Sequence, residues 1–167
     1  MDHLLHDSEI GTVVIAYSMT SLADGIAEDE QNEPAKRAVR RKALFDTIDG
    51  LTAAGKTVVV VLQAPRLPRH VQYDIREITS PADTDFMASV ATAAWTAKLA
   101  ALKAELLAAA AATPSRLLVV DPADIFCPGA DCAAVLHGEA LFFDDHHMSV
   151  SGARLVAAAI KARLAAP

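Results

Sequence analysis

Three short apolar runs, separated by segments long enough to form helices, restrict what this chain can fold into. The runs cover residues 12–17, 57–62 and 116–121, and their interior positions are apolar throughout rather than in alternation. That pattern is typical of strands buried on both faces, as in a parallel sheet covered by helices. The order of strands and helices therefore predicts the α/β class, with a three-layer α/β/α arrangement around a parallel sheet.

The segments between the runs carry helix signals. Residues 35–54 show apolar side chains at helical spacing, and Gly55 is suited to end that helix. Ser80 and Pro81 are N-cap and first-turn signals for a second helix, which should continue to about residue 112. No linker, repeat or second domain is evident, so residues 1–167 are expected to form one domain.

Two further segments are expected to be irregular. Residues 64–69 contain two prolines, which remove backbone donors, and they follow a buried strand at the end where α/β proteins build sites. Residues 123–140 hold both cysteines and show no regular period. A final helix is predicted over residues 152–164, capped by Ser149 or Ser151.

Two carboxylates and two imidazoles occupy four consecutive positions before that final helix. An Asp three residues before a His can hold one ring nitrogen and leave the other free as a general base. This spacing makes Asp144 and His147 a candidate catalytic pair. Pattern alone does not separate catalysis from plain stabilisation, in which carboxylates gain roughly 0.3–1 kcal/mol at a helix N-terminus. A metal site with His146 and His147 is less favoured, because adjacent histidines tend to diverge.

Cys127 and Cys132 are separated by a short segment in which Pro128 and Gly129 can turn the chain. A disulfide is one interpretation, and closing so short a loop would contribute about 2 kcal/mol in the entropy model. Two free thiols, or half of a zinc site, are the alternatives. A disulfide would indicate an oxidising compartment, whereas the first residues show no signal peptide and on their own indicate the cytosol.

The composition excludes several classes of function. The formal net charge is −6, which disfavours nucleic acid as a partner because phosphate binding needs clustered cations. No apolar run approaches the roughly 20 residues of a membrane-spanning helix. Glycine-rich nucleotide loops are absent, and no motif indicates haem, flavin or an iron–sulfur cluster. The sequence therefore predicts no cofactor and no metal.

The second half of the chain carries a set of motifs that resembles a known family. They are Asp121-Pro-x-x-x-Phe-Cys127, then Cys132, then Asp144-x-x-His147-Met-Ser149-x-x-Gly152-Ala153. This block resembles the C-terminal part of the SGNH domain that is fused to acyltransferase-3 membrane proteins, which O-acylate bacterial lipopolysaccharide and other surface glycans. The resemblance covers essentially the whole chain, is specific over residues 121–153 and is looser upstream.

The resemblance implies an SGNH-hydrolase or flavodoxin-like fold and acyl transfer by a Ser-His-Asp mechanism. Asp144 would orient His147, and His147 would be the base, while Asp145 and His146 would fill variable positions between them. The two cysteines would form a disulfide in the periplasm. The implied partners are an acyl donor, a glycan acceptor and a membrane acyltransferase domain, either upstream or in another chain.

The family's nucleophile lies in a Gly-Asp-Ser motif after the first strand, and this chain has no such motif. Ser8 precedes the first apolar run and is not assigned. Ser18 follows that run and is a candidate for an oxyanion or substrate loop, although an ordinary loop serine is the plainer interpretation. We therefore expect residues 1–167 to lack the first strand of the family, as in an N-terminally truncated domain.

Loss of that strand has consequences for stability and for function. The run at residues 12–17 would expose an apolar edge, which predicts self-association or marginal stability. Two functions are consistent with the sequence. One is an esterase or O-acyltransferase domain whose serine comes from elsewhere, and the other is a non-catalytic remnant or small module that binds a glycan or a protein.

Overall fold

A computed structural model of the chain describes residues 2–23, 33–73 and 86–165. The chain divides into two compact units, the first formed by Met1–Gln63 with Lys98–Val120 and the second by Ala64–Ala97 with Asp121–Pro167. The expectation of one domain over residues 1–167 stays a prediction. In chain order the elements are α1 (Asp2–His6), β1 (Thr12–Ala16), a 3-10 turn (Thr20–Leu22), α2 (Pro34–Ala53), β2 (Thr57–Val61), β3 (Phe86–Ala91), α3 (Thr92–Ala112), β4 (Leu117–Val120), α4 (Ala123–Phe126), β5 (Asp131–Leu136), β6 (Glu139–Ala140) and α5 (Val150–Ala165).

The first unit is built on a parallel sheet in the order β1, β2, β4. Thr12 of β1 is in register with Thr57 of β2, and Val58 of β2 with Leu117 of β4. The central strand β2 is buried from Val58 onward, as its unbroken β-branched run predicts. The α/β class and the parallel sheet predicted from the sequence are therefore confirmed.

Helix α2 packs against β2. Its buried face carries Leu44, Ile48 and Leu51, at the helical spacing that the sequence shows. Gly55 follows the helix with a φ of +81°, a left-handed conformation that favours glycine. The predicted end of this helix is confirmed, and the chain passes directly into β2.

Strand β1 lies at an edge of the sheet, since within the described part of the chain only β2 pairs with it. Val14 is 48% exposed and Tyr17 is 43% exposed, although the strand has the composition of an interior strand. Next to it, Ile15, Tyr17, Leu22 and Leu44 contribute to the walls of a cavity of about 330 Å³. The apolar edge expected from the sequence is present.

The second unit contains a sheet that the sequence did not predict. β3, β5 and β6 pair antiparallel in that order. The prediction of an irregular segment over residues 123–140 is wrong, because α4, β5 and β6 lie within it. β5 and β6 are joined by His137 and Gly138, with φ values of 53° and 76°, the signs required by a two-residue hairpin turn.

The second predicted helix begins later than expected. α3 starts at Thr92 rather than at Pro81, and residues 86–91 form β3 instead. Ser80 and Pro81, the predicted start signals, lie outside the described residues. At Thr92 the backbone N–H donates to Ala130 O at 2.8 Å and the hydroxyl donates to Gly129 O at 2.8 Å. Pairing with β5 thus outweighs the helical propensity of this Ala-rich stretch. Within α3 the predicted apolar face is buried at Trp95, Leu99, Leu102 and Leu106.

Helix α5 has the N-cap that the sequence offered as one of two choices. Ser149 Oγ accepts a hydrogen bond from the Gly152 N–H at 3.0 Å and donates to Ala140 O at 2.5 Å. One side chain therefore caps the helix and ties it to β6. None of the described helices combines the length and the apolar character needed to cross a membrane.

Candidate active site

The segment with the four acidic and imidazole side chains is a tight loop between β6 and α5. Phe142 and Met148 form an antiparallel bridge at its base, and the Phe143 N–H donates to His147 O at 2.8 Å. Below the loop, the buried Phe142 ring meets Phe126 edge-on, with 5.6 Å between ring centroids. The backbone therefore holds Asp144, Asp145, His146 and His147 together at the surface of the second unit.

Asp144 is held by three hydrogen bonds. One carboxylate oxygen accepts the backbone N–H groups of His146 and His147, at 2.8 and 2.7 Å. The other oxygen lies 2.7 Å from His147 Nδ1. The His147 side chain, followed by these two N–H groups, holds the pKa of Asp144 far below its ordinary value. An ionised carboxylate only accepts, so His147 Nδ1 carries the proton and Nε2 is left as the basic atom.

A second aspartate and histidine repeat this arrangement. Asp145 Oδ1 lies 2.7 Å from His146 Nδ1, and Arg66 Nε donates to Asp145 Oδ2 at 2.9 Å. The hydrogen bond with His146 lowers the pKa of Asp145, and Arg66 adds to that effect. The rings of His146 and His147 lie 3.9 Å apart between centroids, tilted by 42°. The sequence assigned Asp145 and His146 only to variable positions, although the nested Asp-Asp-His-His order was a signal for two pairs.

The segment that follows β2 forms hydrogen bonds with the loop that carries residues 144–147, called the Asp/His loop below. The Leu67 N–H donates to Asp145 O at 2.7 Å, and the Val71 N–H donates to Asp144 O at 3.2 Å. Leu67 and Val71 are both buried, so these bonds are anchored in the packing of the second unit. The two-proline segment at residues 64–69 therefore contacts the candidate site, and the role that its position after a buried strand indicates stays a prediction.

The motif residues upstream of the loop form part of its support. Asp121 is buried, and its Oδ1 accepts the Ala123 N–H at 2.9 Å where α4 begins. Cys127 and Cys132 are joined by a disulfide, the first of the three interpretations that the spacing allowed. Cys132 is in β5 and fully buried, so the bridge fixes the end of α4 to the start of the hairpin.

Ser18, the candidate for an oxyanion or substrate loop, belongs to the first unit, whereas Asp144 and His147 belong to the second. It is exposed, and its hydroxyl lies 3.0 Å from the Thr20 hydroxyl. Its role stays a prediction. Within residues 2–23, 33–73 and 86–165, the hydrogen bond of the His147 ring goes to Asp144 and none reaches a serine hydroxyl.

Asp144, His146 and His147 could also offer one metal-ligand atom each, and these atoms lie within 4.8 Å of one another. The expectation that the two histidines diverge is therefore wrong, because the ring centroids are only 3.9 Å apart. Both Nδ1 atoms are already engaged by carboxylates at 2.7 Å, so an ion would have to displace or share these hydrogen bonds. The arrangement favours proton transfer by two Asp–His pairs.

Comparison with known proteins identifies one family. The family model described as the SGNH domain fused to AT3 domains matches residues 1–162. No curated protein and no solved structure matches the chain.

Proposed function

Since this chain belongs to the SGNH domains that occur fused to AT3 domains, a family with esterase and acyltransferase-type hydrolase activity, we propose that it moves acyl groups to or from the hydroxyls of glycans. The observation that carries the proposal is the contact of Asp144 with His147, 2.7 Å between Oδ2 and Nδ1. Two backbone N–H groups fix the carboxylate. A histidine held in this way is prepared to act as a general base.

In the proposed mechanism, His147 Nε2 removes the proton from a serine hydroxyl as the serine oxygen attacks the acyl carbon. Asp144 holds the imidazolium that forms, and the proton passes to the departing sugar oxygen. A second hydroxyl, from an acceptor sugar or from water, then attacks the acyl-serine with His147 again as base. Transfer to a sugar and hydrolysis differ only in this acceptor.

The serine in this mechanism is not assigned to a residue of the chain. We propose that a strand carrying it pairs with the free edge of β1, supplied by an upstream segment or by a partner chain with the membrane acyltransferase domain. Val14 is exposed, and among the described residues only β2 pairs with β1; both support this proposal, because an apolar interior-type strand at a sheet edge tends to acquire a partner. Ser18, at the end of β1, is kept as a candidate contact for the substrate or its oxyanion.

The proposed location is the periplasm. The Cys127–Cys132 disulfide supports an oxidising compartment, because such bonds are rare where thiols are kept reduced. The fusion partner that the family description names, the AT3 domain, supports a position beside a membrane acyltransferase.

The alternative function is binding without catalysis. The missing Gly-Asp-Ser motif favours it, as does the cavity of about 330 Å³ beside β1, whose walls are largely apolar. Such a cavity could accept an apolar group of a ligand or partner protein.

The test uses the native gene product purified from its own cells, with a fluorophosphonate probe and an acetyl ester as substrate. We expect one serine to be labelled and ester turnover to be measurable. His147→Asn, whose amide can still donate to Asp144, should abolish labelling and turnover while the melting temperature stays near that of the wild type. Labelling and turnover equal to the wild type in this variant would remove the catalytic proposal. Complete absence of labelling and turnover in the wild type would favour binding.

A further inference from the structure

The mechanism above leaves the pair formed by Asp145 and His146 unused. Its geometry matches that of Asp144 and His147, with Nδ1 2.7 Å from a carboxylate oxygen in both pairs. Two imidazoles are thus oriented by two separate carboxylates within one loop. Neither pair is explained by helix capping, because Ser149 fills that role for α5.

The second pair is also held by neighbouring residues. Asp145 uses one carboxylate oxygen for His146 and the other for Arg66 Nε, and its backbone oxygen accepts the Leu67 N–H. Arg66 thereby fixes the carboxylate, and the carboxylate fixes the ring. An exposed ion pair of this kind contributes little to stability by itself, so the arrangement is better explained by what it does to His146.

The rings of His146 and His147 lie close together, with 3.9 Å between their centroids. With each Nδ1 held by a carboxylate, each Nε2 faces away from the carboxylate that orients its ring. The His146 side chain is 38% exposed and that of His147 is 67% exposed, so both can be reached from solvent. Two proton-transfer groups on rings as close as these can serve two oxygens bonded to the same acyl carbon.

Building on the proposed acyl transfer, we propose that His146 is a second catalytic acid–base residue, oriented by Asp145 and Arg66 and acting together with His147. His147 Nε2 takes the proton of the attacking hydroxyl as its oxygen bonds to the acyl carbon. Protonated His146, in place of His147, gives its Nε2 proton to the departing oxygen as that carbon–oxygen bond breaks. The step yields the new ester, the free alcohol, protonated His147 and neutral His146, and proton exchange with water restores the starting pair.

The proposal predicts a difference between variants that a structural role would not produce. In His146→Asn the amide nitrogen can still donate to Asp145, but no Nε2 remains to transfer a proton. A residue that only supports the loop would tolerate this change. A catalytic acid–base residue would not, and we expect kcat to fall about 100-fold with little change in KM.

The experiment measures ester turnover by the native gene product and by three variants, His146→Asn, His146→Ala and His147→Asn, after checking each fold by thermal denaturation. We expect both Asn variants to be impaired, and added imidazole to restore part of the activity of His146→Ala. Full activity of His146→Asn beside an inactive His147→Asn would overturn this inference and leave the proposed function intact. Full activity of both Asn variants would refute the proposed function itself. Activity that is lost to a chelator and restored by Zn²⁺ would replace the inference with a metal site.

Discussion

Gly152 in the first turn of α5 lies against the carbonyl of Leu141 so closely that a Cβ atom at position 152 would overlap the Leu141 oxygen. The contact joins the helix to the residue that leads into the Asp/His loop, where the Ser149 N–H also donates to Leu141 O at 2.9 Å. It gives a physical reason for glycine at this position of the motif.

We expect Gly152→Ala to destabilise the protein by about 1–3 kcal/mol, because the added methyl group must push the helix away from the Leu141 backbone. At other positions inside a helix, replacing glycine by alanine usually stabilises the protein. Gly50→Ala, within α2, is the matched control, since nothing lies within 4 Å of a Cβ built there. Chemical denaturation measures both variants, and equal stability of Gly152→Ala and wild type would contradict the contact.

The disulfide between Cys127 and Cys132 should stabilise the second unit modestly. We expect the double variant Cys127→Ser, Cys132→Ser to lose about 2 kcal/mol, the entropy that so short a closed loop removes from the unfolded chain. Denaturation with and without reductant checks this. The wild type should respond to reductant and the double variant should not, whereas a wild type indifferent to reductant would refute the prediction.

One edge of β1 has no strand partner within the described parts of the chain, which predicts that a protein of residues 1–167 alone self-associates. Val14→Lys should weaken this association, because a charged side chain on an edge strand opposes pairing with another strand. Val39→Lys is the control, since Val39 is 69% exposed but lies on helix α2 rather than on a strand. Sedimentation velocity over a range of concentrations measures the effect. A wild type that stays monomeric at every concentration would contradict this prediction, because the edge would then already be protected from pairing.

The strands of the parallel sheet and the first Asp–His pair were predictable because each depends on residues close in sequence. An unbroken β-branched run such as that of β2 has few alternatives to a buried strand, and the three-residue spacing of Asp144 and His147 already allows their contact. The same holds for Gly55, where one glycine after a helical pattern marks its end.

The antiparallel sheet and the second Asp–His pair depend on contacts between distant residues. β3 lies in an Ala-rich stretch, and it becomes a strand only because β5, some 40 residues later, pairs with it. His146 is oriented by Asp145, which is in turn held by Arg66, 79 residues away. Two local signals were present: the glycine at position 138 in the two-residue turn between β5 and β6, and the nested Asp-Asp-His-His order for the second pair.

The lowered pKa of Asp144 predicts a loss of stability in acid. As the pH falls through the ordinary carboxyl value of about 4, the unfolded chain takes up a proton at this residue while the folded chain still has the carboxylate ionised. The unfolded state then binds more protons, so its free energy falls relative to the folded state. We expect Asp144→Asn to be less stable than the wild type at pH 7, and the difference to shrink below pH 4. Denaturation midpoints at several pH values test this, and a difference independent of pH would contradict it.

Asp144→Asn should also reduce ester turnover, by more than the loss of folded protein explains. The carboxylate accepts from His147 Nδ1 and so leaves Nε2 without a proton, as a base requires. An amide at position 144 can donate through its nitrogen, which would place the proton of His147 on Nε2 and remove the base. In a serine–histidine–aspartate site this exchange of tautomers lowers kcat by about 10⁴-fold, and we expect a loss approaching that size in ester turnover by the native gene product. Asp46→Asn, which removes a surface partner of Lys42, is the control and should leave turnover unchanged. If Asp144→Asn turned over ester at the wild-type rate, the base would not depend on Asp144, and the pair formed by Asp145 and His146 would become the first candidate for that role.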